Sequence, residues 1–485
     1  MKVLFTHSYF LQFDPKQKEL AQPYPPIGTL YAASFLREHQ YEVSFFDTMF
    51  SVSANEIISA LEMHCPDVLV IYDDGFNYLT KMCLSNMREA AFEMAKLAKQ
   101  KGCTVIVSSS DSTDNCEKYL SNGADFIITG EAEQTLLELL NNIQTKGDTS
   151  EKINGLAFMD DGTLVRTAKR SVMRELDSLP LPAWDLVNIE PYETTWRKRY
   201  NYFSLNVATT RGCPYKCNWC AKPIYGNRYN SRSPENVVAE LLLLKNKFKF
   251  DHIWFCDDIF GLKPSWVEEF SHLVKQHKLK FSYKIQSRAD LLVQENYVSY
   301  LEQSGCTNVW MGAESGSQKI LDAMDKGITV EQIYTASSLL KKHNIKPALF
   351  LQFGYLGETK EDIERTINMV NNILPEDIGV SISYPLPGTK FYDKVKDDLK
   401  VKTNWTDSDE LMLMFKNTYS PDFYKQLHRY VHKNYRKHQG YESIKQLLIH
   451  PAKMKFNTVK RAASLLYYIP ATLIEKNKLA KIESN

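Results

Sequence analysis

Three of the nine cysteines of this 485-residue chain, Cys213, Cys217 and Cys220, lie within eight residues of one another. Their spacing, C-x3-C-x2-C, places three thiols on one short segment. Three thiolates on one loop can bind three irons of a cubane [4Fe–4S] cluster and leave the fourth iron open for a ligand. Zinc is the alternative metal. It usually takes a fourth Cys or His nearby, whereas the next histidine, His252, is 32 residues further along.

The composition excludes several classes of protein. An apolar fraction of 44% over 485 residues can fill a large core, which excludes disordered and fibrous chains. Nine cysteines in a long chain do not make the dense framework of a secreted disulfide scaffold. The first ten residues lack the pattern of a signal peptide, and no run of 18 apolar residues occurs. We therefore expect a cytoplasmic protein in a reducing compartment.

The first 146 residues alternate apolar runs of strand length with amphipathic helical stretches. The runs are Lys2–His7, Tyr41–Asp47, Asp67–Asp73, Cys103–Ser109 and Ala124–Thr129. This alternation predicts a doubly wound parallel sheet, which binds ligands at the carboxyl ends of its strands. Ser108, Ser109, Gly130 and Glu131 lie at such ends. They fit a ligand-binding rim, and the alternative is that they only cap the helices that follow.

A second series of strands and helices follows a break. Residues 147–196 are predicted to form a linker with a hairpin over Ile153–Thr167. The next strands are predicted at Phe203–Thr209, His252–Cys256, Phe281–Gln286, Asn308–Ala313, Ala348–Phe353 and Gly379–Ser383. Six such units over residues 197–395 predict a partial or complete (β/α) barrel, with its active site at the carboxyl ends of the strands. The cysteine motif directly follows the first of them.

A C-x3-C-x2-C motif after the first strand of a six-unit barrel resembles the radical S-adenosylmethionine (SAM) superfamily. In that family the open iron chelates SAM, and reductive cleavage gives a 5′-deoxyadenosyl radical. The preceding domain resembles a cobalamin-binding domain, and Tyr24-Pro25-Pro26-Ile27-Gly28-Thr29-Leu30 is similar to the entry of that family's first helix. The resemblance covers about residues 1–395. It is to the cobalamin-dependent class, which includes B12-dependent methyltransferases and the anaerobic magnesium-protoporphyrin ester cyclase.

The resemblance implies contacts with SAM at the ends of the later barrel strands. Asp257 and Asp258 would contact the methionyl amine, and Arg288 the carboxylate. Glu314 would bind the ribose, because a carboxylate can accept both hydroxyl protons of a diol. Gly354 and Pro387 would lie in the loops on the adenosine side.

Alternatives remain open for three of these positions. The two aspartates could cap the helix that begins at Pro264, and Arg288 could form a surface ion pair. Cys256, beside Asp257, is either an ordinary buried thiol or one that faces the substrate.

The cobalamin-binding region departs from the best-known pattern of its family. The motif D-x-H-x-x-G, which supplies an imidazole to cobalt, is absent, since Asp74-Gly75-Phe76 has no histidine in register. Relatives often carry Gly-Gly-Pro-His where this chain has Ser108-Ser109-Ser110-Asp111. The segments that begin at Gly123 and Gly130 do match the closing strand. We expect cobalamin to bind against Ser108, Ser109, Gly130 and Glu131, and a degenerate domain is the alternative.

The net charge of +1 conceals a basic tail. Residues 415–485 hold 14 Lys or Arg and 4 Asp or Glu, a net charge of +10, which leaves −9 for the first 414 residues. The helical, aromatic stretch Phe423–His438 and the apolar stretch Ala462–Ile474 lie in this tail. Both could form a helical cap on the barrel, or a basic and apolar surface could contact an anionic membrane. Without an RNA-binding motif, nucleic acid is not expected as a partner.

The sequence thus predicts an α/β protein: a doubly wound Rossmann-like cobalamin-binding domain over residues 1–146, the linker, a partial (β/α)6 radical SAM barrel over 197–395, and a basic helical region over 396–485. The expected activity is a cobalamin-dependent radical SAM methyl transfer to a carbon of a small-molecule or lipid substrate such as a tetrapyrrole. An electron donor such as flavodoxin or ferredoxin would serve it. Radical cyclisation or rearrangement without methyl transfer, and a non-catalytic iron–sulfur protein, are the alternatives.

Overall fold

The computed structural model describes residues 1–147, 149–399, 402–449 and 456–483. The chain forms two compact units. The first consists of Met1–Tyr215, Ala221–Ile285 and Asn404–Glu410. The second consists of Lys216–Cys220, Gln286–Thr403 and Leu411–Asn485. These units do not follow the four predicted segments, because the first unit combines the N-terminal sheet with the first strands of the second series.

A seven-stranded sheet forms the N-terminal part of the first unit, in the order β2-β1-β3-β4-β5-β6-β7. β1 to β5 are parallel, as predicted, and β6 and β7 add antiparallel beside β5. The predicted hairpin is therefore confirmed, and it extends the sheet. The strands are β1 Lys2–Thr6, β2 Glu42–Phe45, β3 Val68–Tyr72, β4 Thr104–Ser108, β5 Phe126–Ile128, β6 Leu156–Asp160 and β7 Thr163–Arg166.

Nine helices accompany this sheet and the linker in the described residues. They are α1 Pro15–Leu20, α2 Ile27–Glu38, α3 Ile57–His64, α4 Tyr78–Lys81, α5 Ser85–Gln100, α6 Ser110–Asp114, α7 Cys116–Leu120, α8 Glu133–Gln144 and α9 Glu190–Tyr200. The sequence pattern predicts one helix over Asp114–Ser121, but Asn115 adopts a non-helical conformation and separates α6 from α7. α9 lies in the predicted linker and was not expected.

The rest of the first unit contains the first strands of the second series. β11 lies between β8 and β12, and all three strands are parallel. A two-residue hairpin, β9 with β10, encloses the segment that contains the cysteine motif. The elements are β8 Ser204–Val207, β9 Thr210–Arg211, β10 Asn230–Ser231, α10 Pro234–Phe248, β11 His252–Phe255, α11 Pro264–Gln276 and β12 Ser282–Ser287, the last of which continues into the second unit.

The second unit contains three parallel strands in the order β13-β14-β15. The predicted alternation of strands with helices is confirmed here too. The elements are α12 Ala289–Leu292, α13 Glu295–Gln303, β13 Cys306–Glu314, α14 Gln318–Ala323, α15 Val330–Lys342, β14 Lys346–Phe353, α16 Lys360–Ile373, β15 Asp377–Ile382, α17 Lys390–Val395, α18 Pro421–Ile449, α19 Phe456–Ala463 and α20 Leu465–Glu483.

The long helix α18 packs beside β15. The Tyr435 hydroxyl donates to the carbonyl of Pro375, and Arg436 forms an ion pair with Asp377. α20 lies against α18, where Glu475 pairs with Lys433. The helical cap predicted for this region is therefore present. In the described ranges, no helix combines the length and the apolarity that crossing a membrane requires.

Candidate active site

Gly212 turns the chain from β9 into the cysteine segment. Its φ is +81°, and a Cβ there would lie 2.4 Å from the carbonyl oxygen of Arg228, so only glycine fits. Cys213 follows in the first unit and is buried. Cys217 and Cys220, in the second unit, are half-buried, and none of the three thiols forms a disulfide. The hairpin and the glycine therefore present three reduced cysteines on one segment.

These residues fit an iron–sulfur cluster by the chemistry of their side chains. Thiolates are the ligands of such clusters, and three free thiols at this spacing match a site with one open iron. In the part of the chain that the structure describes, no three His, Cys, Asp or Glu side chains converge as around a bound metal ion. The assignment of Cys213, Cys217 and Cys220 therefore rests on the motif and on their free thiols.

Asn218, between the second and third cysteines, fixes the segment within the second unit. Its backbone N–H donates to the carbonyl of Met324, and its Nδ2 donates to Ala323. Its Oδ1 accepts a hydrogen bond of 2.7 Å from the Tyr355 hydroxyl, and its carbonyl accepts from the N–H of Phe391. The sequence analysis missed this residue, because an asparagine in a loop carries no signal of such anchoring.

Glu314 ends β13 with a left-handed backbone, φ +58°, just after a shift of register. Its Oε1 accepts a hydrogen bond of 2.7 Å from the Nζ of Lys326, and both side chains are buried. The Lys326 ammonium also lies 5.9 Å from the ring centroid of Trp219, the neighbour of Cys220. Burial is the largest single effect on the pKa of Lys326 and lowers it, but the negative charges of Glu314 and Cys217 and the hydrogen bond to Glu314 together raise that pKa above its ordinary value.

Lys326 is a site residue that the sequence analysis missed. It lies in a turn between Asp325 and Gly327, where a lysine is normally a solvated surface residue. The structure instead buries it opposite the predicted ribose-binding carboxylate.

Arg288 is buried at the start of α12, so the surface ion pair considered for it is wrong. Its guanidinium donates to Asp290 and to the carbonyl of Lys326, with N···O distances of 3.0 Å. Arg288 thus supports the turn that carries Lys326. Its predicted contact with the SAM carboxylate stays a prediction.

Asp257 and Asp258, after β11, have different surroundings. Asp257 is fully buried and accepts 2.7 Å hydrogen bonds from the backbone N–H groups of Thr209 and Thr210 and from the Thr209 hydroxyl. Burial raises the pKa of Asp257 to about 6, against the effect of these hydrogen bonds. Asp258 pairs with Lys81 at 2.7 Å and is half-exposed. Neither caps α11, whose N-cap is Lys263, so that alternative is wrong.

Gly354 and Pro387 lie in two turns of the second unit. Gly354 has a φ of +77°, its N–H donates to Glu358 at 2.7 Å, and its carbonyl accepts from Asn417. The Glu358 carboxyl is buried, and burial raises its pKa to about 8. Pro387 is half-buried in the turn before α17. Their predicted contacts with adenosine remain predictions.

The predicted cobalamin rim lies at the strand ends of the N-terminal sheet, as expected. The carbonyl of Ser108 accepts the N–H of Asp73, and Ser109 caps α6 through a reciprocal pair of hydrogen bonds with Ser112. The capping alternative is therefore correct for Ser109. Gly130 has a φ of +86°, and a Cβ there would only meet the carbonyl oxygen of Ile224 at 3.7 Å. Small side chains at these ends fit a cofactor that lies across them.

Glu131 forms an ion pair with Arg211, at the start of the cysteine segment. Arg211, directly before Gly212, donates to Glu131 and to Glu133 with N···O distances of 2.5 Å, and all three side chains are buried. Glu131 also accepts the backbone N–H of Met173. Its predicted role toward cobalamin therefore competes with an ion pair that the sequence analysis missed.

Cys256 is buried in the first unit. Its side chain is 3% exposed, and its thiol donates weakly to the carbonyl of Val207. These contacts fit an ordinary buried cysteine, and a substrate-facing thiol stays a prediction.

Comparison with known proteins identifies a family model and several relatives. Residues 207–370 match the model of the radical SAM superfamily. An uncharacterized methyltransferase of Pyrococcus horikoshii is 27% identical over 79% of this chain and 81% of its own length. The anaerobic magnesium-protoporphyrin IX monomethyl ester cyclase of Cereibacter sphaeroides is 24% identical over 83% of this chain, which spans 64% of that enzyme.

A solved structure shows the same fold. The cobalamin-dependent SAM radical enzyme OxsB superposes with a TM-score of 0.73 at 17% identity, over 98% of this chain and 72% of its own. The α/β fold therefore contains a parallel-sheet radical SAM domain. The protein is therefore an enzyme with a radical SAM domain over residues 207–370.

Proposed function

We propose that this enzyme cleaves SAM at a [4Fe–4S] cluster held by Cys213, Cys217 and Cys220, and that it uses cobalamin to methylate a carbon of its substrate. The carrying observation is the cysteine segment itself, held by β9–β10 in the first unit and by Asn218 in the second. A cluster held by these cysteines would supply the electron that cleaves SAM into methionine and the 5′-deoxyadenosyl radical, and bound cobalamin would supply a methyl group. We further infer that the six strands of the second series make a partial (β/α)6 barrel.

The residues of the chain bind and orient SAM in this proposal. Arg288 is rigidly held and can present donors to a carboxylate. Glu314 can accept ribose hydroxyls if the Lys326 ammonium shifts toward the Trp219 ring beside it. Asp257 instead holds the turn that leads into Cys213, and acts as a positioning residue.

The first test is SAM cleavage by the anaerobically reconstituted enzyme with reduced flavodoxin. We expect 5′-deoxyadenosine from the wild type and none from Cys217→Ala. Cys306→Ala is the matched control, because that buried thiol lies outside the motif. Cleavage that survives in Cys217→Ala would overturn the cluster assignment.

The second test concerns the methyl group and the cofactor. With SAM that carries a deuterated methyl group, we expect the label in the product and a cobalamin absorption spectrum in the purified enzyme. A product without label would exclude methyl transfer and favour cyclisation, the reaction in the name of the Cereibacter sphaeroides relative.

We also propose that the C-terminal helices contact an anionic membrane surface. In the described ranges, 17 large apolar side chains are more than a third exposed, and 11 of them lie between Tyr441 and Ile474. The most exposed are Leu466 at 87%, Phe456 at 82% and Leu448 at 78%. Lys445, Lys460 and Arg461 lie among them, within a tail of net charge +10. Apolar side chains among basic ones suit an anionic lipid surface.

Vesicle flotation tests this contact. We expect the enzyme to float with vesicles of equal parts phosphatidylcholine and phosphatidylglycerol, and the double variant Leu466→Glu, Leu473→Glu to stay behind. The matched control is Met63→Glu, Leu243→Glu, which alters exposed apolar residues of the first unit. Equal flotation of the two double variants, or no flotation of the wild type, would contradict the proposal.

A further inference from the structure

The three strands β8, β11 and β12 have two chemically different faces. Ile253 and Phe255 of β11, with Tyr283 of β12, point to one face and are fully buried with the aromatic side chains of α11. The opposite face carries Ser204, Asn206, His252, Trp254 and Lys284. Side chains alternate along a strand, so this polar face is continuous across the three strands.

Asn206, Trp254 and Lys284 stand side by side on this face. The strand pairing aligns Trp254 with Asn206 on one side and with Lys284 on the other. In-register residues of parallel strands point to the same face, so the three side chains form one row. Tyr24, from the segment before α2, covers this row, with its ring 4.8 Å from that of Trp254.

The ammonium group of Lys284 lies near two aromatic rings and not beside a carboxylate. Its ammonium lies 5.3 Å from the ring centroid of Tyr24 and 5.2 Å from that of Trp254. In the part of the chain that the structure describes, no hydrogen bond or ion pair reaches it, and its side chain is half-buried. Burial lowers its pKa to about 8. A partly buried lysine without a counter-charge is costly, and such groups cluster at binding sites.

Asn206 supplies a second polar atom without a partner. It is 2% exposed, its Nδ2 donates to the carbonyl of Pro25 at 2.9 Å, and its Oδ1 accepts no hydrogen bond from any described residue. The neighbouring polar groups are occupied, because the Ser204 hydroxyl bonds both Tyr24 and His252. His252 is neutral, because burial and the Lys284 charge lower its pKa to about 3. It therefore offers Lys284 no counter-charge.

We infer that the row Asn206–Trp254–Lys284 under Tyr24 is a binding site for the anionic end of an unsaturated or aromatic ligand. Lys284 pairs with a carboxylate or a phosphate, the rings of Tyr24 and Trp254 contact the planar part, and the Asn206 Oδ1 accepts an N–H or O–H of the ligand. The substrate of the proposed reaction is taken as the occupant, and in that respect the inference rests on the proposed function.

The site can be tested without SAM, reductant or cluster chemistry. Binding of benzoate and of phenyl phosphate is measured by ligand-observed NMR titration, with benzamide as the neutral analogue. We expect the wild type to bind at least one of the two anions and not benzamide. The anion that binds more tightly identifies the acidic group for which the site is built.

Substitutions then assign the binding to Lys284. We expect Lys284→Met to weaken anion binding by about tenfold or more, since a charge-assisted hydrogen bond to the anion is lost. Lys284→Arg keeps the charge and should retain most of the binding. The matched control Lys280→Met removes an exposed lysine of the preceding loop and should bind as the wild type does.

These binding measurements can support or overturn the inference. No binding of either anion to the wild type, or equal binding to Lys284→Met, would overturn the inference. Should Lys284→Met fail to fold, Lys284→Arg and the pH dependence of wild-type binding decide, because affinity must fall as the pH rises above about 8 and Lys284 loses its proton. Failure of SAM cleavage would leave this result standing, so the two proposals fail separately.

Discussion

Each of the two units has a carboxylate at the end of a strand. The groups that donate hydrogen bonds to these two carboxylates differ, and so do the roles that we infer for them. Asp257, after β11 in the first unit, accepts hydrogen bonds from two backbone N–H groups and a threonine hydroxyl. Glu314, at the end of β13 in the second unit, accepts one from the ammonium of Lys326. Backbone donors cannot move away, whereas a lysine side chain can. We therefore infer that Asp257 stabilises the turn before Cys213 and that Glu314 can bind a ligand.

The largest effect is expected from Asp257→Ala. The variant leaves the two N–H groups of Thr209 and Thr210 buried without acceptors, and we expect it to lose about 4 kcal/mol of unfolding free energy. Urea denaturation measures this loss. A loss below about 1 kcal/mol would show that Asp257 does not hold the turn before Cys213.

Glu314→Gln should separate stability from ligand binding. It leaves the Lys326 ammonium buried without its partner, at a cost of about 3 kcal/mol. The double variant Glu314→Gln, Lys326→Met should recover most of that stability but not SAM cleavage. Recovery of cleavage along with stability would mean that Glu314 is as structural as Asp257.

The pH dependence of stability distinguishes Asp257 from its neighbours. Its pKa is about 6 in the folded protein and 3.8 ordinarily, so between these values the folded state binds more protons than the unfolded state. Its contribution is therefore present below pH 4 and lost as the pH rises through 6, by roughly 3 kcal/mol. Urea denaturation from pH 4 to 7 should show a loss of stability that is smaller by this amount in Asp257→Asn than in the wild type. Asp74, Asp114 and Glu358, whose pKa values burial also raises, contribute to the slope in both proteins.

The smallest effect is expected from Asp258→Asn, one residue further along. The side chains of Asp258 and Lys81 are 34% and 27% exposed, and such pairs contribute less than about 1 kcal/mol. Lys81→Met should have the same small effect on the urea midpoint. If either variant lost about as much unfolding free energy as Asp257→Ala, the exposed Asp258 would stabilise this strand end as much as the buried Asp257 does.

The strands and their ends were predictable from the sequence, because apolar runs of strand length alternate with amphipathic helices. That periodicity places Asp257, Arg288, Glu314 and Gly354 at strand ends, where the structure has them. It carries no information on α9, whose sequence is polar and aromatic without a clear apolar face. The two-residue strands β9 and β10 are likewise too short to leave a pattern.

The partners of the site residues could not be predicted in the same way. Lys326 and Asn218 come from turns and loops and Arg211 from the two-residue strand β9, and each meets its partner only through tertiary packing. Lys284 is different, because it lies within a predicted strand. The sequence analysis did not single it out, because its place in a strand says nothing of the rings of Tyr24 and Trp254 that its ammonium approaches.

Asn218 also bears on how the proposed cluster would assemble. Its five hydrogen bonds order the segment between Cys217 and Cys220 within the protein alone. The conformational entropy of that segment is therefore lost during folding and not when a cofactor binds. In the proposed site, both of these cysteines would thus be in place before iron arrives.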